Sequence, residues 1–121
     1  MIHMLLAGPI VPYTRMTRRG VWRDDAQRYL ASQTALRVQM QSQMAANGWA
    51  MIPAKVPLRV HINFGWCSHR NDLSNLVKAV EDAANGVVFA DDRWIDSLTT
   101  WRPYGAENVV DLWVEAKGGD A

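Results

Sequence analysis

The chain has 121 residues, of which 49% are hydrophobic and 21% charged. This is the size and composition of one folded globular domain over residues 1–121, and it excludes an intrinsically disordered chain. The net charge of +1 excludes nucleic-acid binding that is driven by overall charge. The single cysteine, Cys67, excludes an intramolecular disulfide and fits a reducing cytoplasm.

The first predicted elements are a short strand and a long helix. The strand covers residues 4–7 and ends at Gly8 and Pro9. The helix covers residues 24–47, because apolar residues recur at helical spacing and Gly48 follows its end. Its apolar stripe consists of Ala26, Tyr29, Leu30, Leu36, Met40 and Met44. Its polar face is rich in glutamines that are expected to be solvated, namely Gln33, Gln39 and Gln43.

The second half of the chain predicts three more strands and a second helix. Residues 58–66 alternate between apolar and polar, which is typical of a strand with one buried face. A helix follows over residues 72–85, with an apolar stripe of Leu73, Leu76, Val77, Val80 and Ala84. Strands over residues 94–102 and 109–116 flank a turn at residues 103–105 and are expected to form a hairpin. This order predicts an α+β domain, a small mixed β-sheet with two helices packed on it.

A cluster of arginines precedes the first helix. Between Tyr13 and Arg23 the chain has four arginines and no acidic residue: Arg15, Arg18, Arg19 and Arg23. Such a cluster can neutralise DNA phosphates, and it can equally be a solvated arginine-rich turn.

Acidic residues concentrate in and after the second helix. Asp72 lies at the helix start, while Asn75, Lys78 and Asp82 have the spacing of residues on one helix face. The pair Asp91 and Asp92 opens the next predicted strand. If that strand runs beside the strand at 58–66, the pair can come close to Asp72.

Carboxylates that meet in this way can bind a metal ion. Mg²⁺ prefers oxygen ligands and takes one or two carboxylates together with water and phosphate oxygens, while a nearby lysine can stabilise a phosphate. Each residue also has a structural alternative. Asp72 can be a helix cap, Asp91 and Asp92 can be turn residues, and Lys78 with Asp82 can be a surface ion pair.

The segment that covers the second helix reads D-L-S-N-L-V-K-A-V-E-D-A-A-N-G, and D-D follows it downstream. This segment resembles the signature of RusA-type endodeoxyribonucleases, which reads D-x-D-N-L-x-K-x-x-x-D-A-L-N-G with a downstream D-D. Gly8, Pro9 and Arg15 resemble a further family pattern more loosely. The resemblance implies a homodimeric, Mg²⁺-dependent nuclease, with Mn²⁺ as an alternative ion, that resolves Holliday junctions in DNA recombination and repair. Many such proteins are encoded by phages or prophages, which implies the cytoplasm of a bacterial host.

The resemblance also implies roles for individual residues. The metal ligands implied are Asp72, Asp91 and Asp92, and Lys78 joins them in catalysis. The DNA-binding residues expected are Arg15, Arg18, Arg19 and Arg70. The supporting residues expected are Ser74, Asn75 and Asp82.

Ser74 departs from the family pattern, which has a second aspartate at that position. A neutral hydroxyl is a weaker metal ligand than a carboxylate. The departure leaves two hypotheses, an active endonuclease or a module that binds junctions with weak or no cleavage. A third is a structural protein whose acidic residues are only caps and turns, without salt-sensitive DNA affinity.

Overall fold

A computed structural model describes residues 1–8, 10–13, 20, 23–65, 72–102 and 108–117. Its strands are β1 (Ile2–Ala7), β2 (Leu58–Phe64), β3 (Ile95–Trp101) and β4 (Val109–Ala116), and its helices are α1 (Asp24–Asn47) and α2 (Leu73–Ala84). A short 3₁₀ helix, Asp92–Trp94, leads into β3. The predicted element order and the α+β class are confirmed. In the part of the chain described, neither helix combines the length and apolar character that crossing a bilayer requires.

The four strands form one mixed sheet in the order β1-β4-β2-β3. β2 and β3 are parallel and are connected through α2, whereas β4 is antiparallel to both β1 and β2. The predicted hairpin of β3 and β4 is therefore wrong, because β2 lies between them. β4 takes a central position that suits its cleanly alternating buried residues, and β3 takes an edge, where its side chains are mostly exposed or half-buried.

Both helices pack on one face of the sheet. The core joins alternate residues of β1, β2 and β4 to the apolar sides of α1 and α2, and Met4, Ile62, Leu112, Met40 and Leu76 are all fully or almost fully buried. This packing holds α2 across the sheet face, between the end of β2 and the start of β3. The packing therefore determines where the two ends of α2 lie relative to the sheet.

The helix α1 has the predicted bounds and ends at Gly48, whose left-handed φ of 66° lets its N–H reach the carbonyls of Ala45 and Met44. Its predicted buried stripe is correct except at Leu30, which is 40% exposed, and Gln33, which is buried instead. The Gln33 Nε2 donates a hydrogen bond of 2.8 Å to the Ala79 carbonyl of α2.

The expected solvation of the other two glutamines is also wrong. The Gln39 side chain accepts from the Ala7 N–H at 2.7 Å and donates to the Ala7 carbonyl at 3.0 Å, and Gln43 donates to the Leu5 carbonyl at 2.8 Å. β1 is an edge strand with unpaired backbone groups on its outer side, and these amides satisfy them.

Candidate functional site

Asp72 is the N-cap residue of α2, but its side chain makes no capping hydrogen bond. Its backbone carbonyl accepts from the N–H groups of Asn75 and Leu76, both at 3.1 Å, so the helix starts without using the carboxylate. Asp72 and Ser74 are both exposed, and the first turn of α2 carries no acidic residue. The capping alternative for the Asp72 side chain therefore has no support in the geometry, and the carboxylate is available to a ligand.

Asp82 lies near the other end of α2 and is held by two side chains. The Tyr29 hydroxyl of α1 donates to its Oδ2 at 2.9 Å, and the Lys78 Nζ lies 3.9 Å from its Oδ1. Arg37 donates to the Asp82 backbone carbonyl at 3.0 Å. Lys78 and Asp82 thus form the predicted surface ion pair, and Tyr29, which is only 4% exposed, adds a bond that fixes the carboxylate.

Tyr13 joins the segment before the arginine cluster to the same helix. Its N–H donates to the Asn75 carbonyl at 3.0 Å, its ring meets Tyr29 edge-on at 5.8 Å, and the Lys78 Nζ lies 4.7 Å from its ring centroid. The last described residue before the arginines of 15–19 is therefore anchored beside Asn75 and Lys78.

The pair Asp91 and Asp92 does not open β3, because a 3₁₀ turn precedes the strand. Asp91 is exposed and caps this turn by accepting from the Arg93 N–H at 3.0 Å, which lowers the pKa of its carboxyl, helped by a hydrogen bond with Asp92. Burial raises the pKa of Asp92, and the hydrogen bond with Asp91 and the charge of Asp82 raise it further, whereas a hydrogen bond with Asn85 lowers it. The turn-residue alternative therefore holds for Asp91, while Asp92 faces the end of α2.

Glu81 adds to the negative charge at this end of the helix. Burial raises the pKa of its carboxyl, the charge of Asp92 raises it further, and Lys78 offsets part of the effect. Four carboxylates, those of Glu81, Asp82, Asp91 and Asp92, therefore influence one another around the end of α2. Such a cluster attracts a cation.

The structure does not bring Asp72 to this cluster. In the parallel pairing, Leu58 at the start of β2 lies beside Ile95 at the start of β3, so the residues just before β3 lie at the opposite end of the sheet from the residues after β2. α2 connects these two ends with 12 residues, which separates Asp72 from the Asp92 end by roughly 18 Å. Among the described residues, no three His, Cys, Asp or Glu side chains are arranged to hold a metal ion.

The expected approach of Asp72 to Asp91 and Asp92 within one chain is therefore not found. The strand that follows the acidic pair does run beside β2, as the expectation required, but the parallel direction places the pair at the far end. Four predicted DNA-binding residues, Arg15, Arg18, Arg19 and Arg70, lie outside the described residues.

Three residues of this region were missed by sequence reasoning. Tyr29 was assigned to the apolar stripe, and its hydroxyl gives no signal in the sequence that it meets Asp82. Glu81 and Asn85 lie within the matched motif and could have been noticed, because they are one and three residues from Asp82 on the last turns of α2.

A family model described as Endodeoxyribonuclease RusA matches residues 14–115, most of the chain. The match includes the arginine cluster, the whole of α2 and the acidic pair before β3. None of the curated proteins matches the chain.

Proposed function

The chain belongs to the RusA family of endodeoxyribonucleases, and from this premise we propose that it is a structure-specific endonuclease that resolves Holliday junctions in DNA recombination and repair. The observation that carries the proposal is the family match over α2 and the acidic pair, in which Asp72 leaves its carboxylate free of the helix cap and Asp92 faces further carboxylates. The reaction is hydrolysis of a phosphodiester bond by water.

The proposed cofactor is Mg²⁺, with Mn²⁺ as a substitute. Carboxylate oxygens are the donors that Mg²⁺ prefers, so the chemistry of the exposed Asp72 and of Asp92 fits this ion. When bound, a divalent ion polarises the phosphate and lowers the pKa of an attacking water. Asp91 and Asp92 are both proposed as ligands. Asp91 is exposed and uses one carboxylate oxygen to accept from the Arg93 N–H, and Asp92 lies beside Asn85 and Asp82 at the end of α2.

Lys78 has the proposed role of stabilising the phosphate. Its side chain is 46% exposed, and its 3.9 Å contact with Asp82 is a long ion pair. Exposed pairs of this kind contribute only a few tenths of a kcal/mol, so the ammonium can turn to a DNA phosphate at little cost. Tyr29 keeps Asp82 in place when Lys78 leaves.

The arginines are proposed to bind the DNA backbone. Arg15, Arg18 and Arg19 follow Tyr13, which is anchored on α2, and Arg70 precedes Asp72 in the chain. We therefore expect DNA affinity to fall steeply with salt, since each phosphate contact releases condensed counterions. A homodimer is part of the proposal, because a four-way junction offers two equivalent strands and a twofold dimer offers two equivalent sites.

The test is cleavage of a synthetic four-way junction and of a linear duplex in Mg²⁺, Mn²⁺ or EDTA. We expect nicking of the junction in both metals, little nicking of the duplex and none in EDTA. Asp91→Asn and Asp92→Asn test the acidic pair, and Asp24→Asn, an exposed aspartate at the start of α1, is the matched control. Equal cleavage of junction and duplex, or none in any metal, contradicts the proposal.

A second candidate is a junction-binding module without cleavage. Ser74 and the lack of an acidic residue in the first turn of α2 favour it. Ser74→Asp separates the candidates, and the new carboxylate is compatible with folding because an acid near a helix N-terminus typically stabilises by about 0.3–1 kcal/mol. A large gain in cleavage with unchanged binding favours the binding module, and little change favours the active enzyme.

A further inference from the structure

We propose that Tyr13 is a positioning residue that holds the Lys78 ammonium where it meets the DNA phosphate. The inference rests on the proposed function, in which Lys78 stabilises that phosphate. Tyr13 does not touch the reacting atoms and acts through the lysine. The contact that carries the inference is a cation–π interaction, in which the Lys78 Nζ lies 4.7 Å from the centroid of the Tyr13 ring.

The Tyr13 ring is held in place by two anchors. Its backbone N–H donates a hydrogen bond of 3.0 Å to the Asn75 carbonyl in the first turn of α2. Its ring meets the Tyr29 ring edge-on with the centroids 5.8 Å apart, and Tyr29 is itself buried and bonded to Asp82. Both anchors belong to the packed helices, so the ring face offered to Lys78 is in place before DNA binds.

An aromatic ring suits this task because it leaves the ammonium able to bind a phosphate. A lysine ammonium has three N–H donors, and a ring face attracts its charge without taking up any of them as a carboxylate oxygen does. The Asp82 Oδ1 lies 3.9 Å from the Lys78 Nζ, which is too far for a hydrogen bond. Both contacts therefore orient the charge and leave its donors to phosphate oxygens.

Removal of the ring tests the effect on nicking. Tyr13→Leu retains an apolar side chain beside Tyr29 and a backbone N–H for the Asn75 carbonyl, but it lets the flexible lysine stem sample more rotamers. We expect the nicking rate of a fully bound junction to fall about fivefold, the size of a cation–π contribution at a partly exposed site. Tyr13→Phe keeps the ring face and is expected to restore most of the rate.

A double variant separates positioning from a structural role. Lys78→Met has no ammonium to position, so the addition of Tyr13→Leu should not lower its remaining nicking rate further. Two results overturn the inference. One is that Tyr13→Leu slows nicking by the same factor with and without Lys78, and the other is that Tyr13→Phe loses as much activity as Tyr13→Leu.

A spectroscopic measurement tests the contact without DNA, and it applies even if Lys78→Met does not nick at all. The lysines of the chain are Lys55, Lys78 and Lys117, so Lys78→Arg assigns the Lys78 signal among the NMR signals of the lysine ε-methylene groups. The Tyr13 ring should shift the Lys78 signal upfield, and the other two lysines serve as internal references. The shift should disappear in Tyr13→Leu and remain in Tyr13→Phe. A Lys78 signal that is unchanged in Tyr13→Leu overturns the inference.

Failure of the proposed function gives a different result from failure of the inference. A wild-type protein that binds the junction and never nicks it in Mg²⁺ or Mn²⁺ contradicts the nuclease proposal and, with it, the role of Tyr13 in nicking. A wild-type protein that nicks the junction no faster than Tyr13→Leu does contradicts the inference alone.

Discussion

Removal of the Tyr29 hydroxyl tests whether the contact between α1 and α2 stabilises the region of Asp82. Tyr29→Phe keeps the buried ring and deletes the 2.9 Å hydrogen bond to the Asp82 carboxylate. A hydrogen bond to a charged group typically contributes about 1.5–3 kcal/mol. Asp82 retains Lys78 and a side chain that is 27% exposed, so we expect the low end, a loss of about 1.5 kcal/mol.

Thermal and urea unfolding at pH 7 measure this loss. For a chain of this length, about 1.5 kcal/mol corresponds to a fall in Tm of roughly 6 °C. Tyr13→Phe is the matched control. It keeps the same ring contacts, and its hydroxyl makes no hydrogen bond within the described residues. The control should change the free energy of unfolding by no more than about 0.5 kcal/mol.

The difference between wild type and Tyr29→Phe should shrink above pH 10. Burial and the Asp82 hydrogen bond raise the pKa of Tyr29 above its ordinary value of 10.0. Above that pH the unfolded chain releases the tyrosine proton while the folded chain keeps it, so the wild type loses stability as pH rises. Phenylalanine does not titrate. A variant as stable as wild type at pH 7, or a difference in the free energy of unfolding that widens above pH 10, contradicts a stabilising role of the Tyr29 hydroxyl.

Substitutions at three further positions test the site and the fold. The raised pKa of Asp92 means that wild type loses folding stability as pH rises from 4 to 7 and this proton leaves. Asp92→Asn has no such proton, so without metal its free energy of unfolding should rise relative to that of wild type over this range. Urea unfolding at both pH values checks this. Gln33→Met should change the free energy of unfolding by no more than about 1 kcal/mol in either direction, because it removes both the buried hydrogen bond to the Ala79 carbonyl and the buried Oε1 that has no partner in the described structure. A large loss of stability contradicts this. Gly48→Ala should lower the free energy of unfolding by about 1 kcal/mol, because the φ of 66° at Gly48 disfavours a side chain although the space around it is open. Gly48→Asn should lower it by less, and thermal unfolding measures both variants.

Local patterns in the sequence predicted most of the elements. The bounds of α1 and β4 agree with the structure, because helical spacing and strict alternation are properties of adjacent residues. The β3–β4 hairpin failed because strand pairing depends on distant segments, and a short turn between two strands does not determine their neighbours. The glutamines of α1 were misjudged for the same reason, since only the assembled sheet shows that β1 is an edge.

The candidate site, like the fold, could be predicted from the sequence only in part. The motif predicted which residues carry the chemistry, and this stays a prediction. The structure shows that the Asp72 side chain makes no capping hydrogen bond and that Asp92 faces other carboxylates. Their distance could not be predicted, because it depends on β3 running parallel to β2 and on the length of α2 between them.

The proposal that this chain cuts branched DNA at paired sites has its sharpest test on one four-way junction, labelled in each of its four strands in separate reactions. We predict metal-dependent nicks at equivalent positions in two opposing strands, with the other two intact. A junction that is bound and remains whole in both Mg²⁺ and Mn²⁺, or one cut at unrelated positions in all four strands, contradicts the claim.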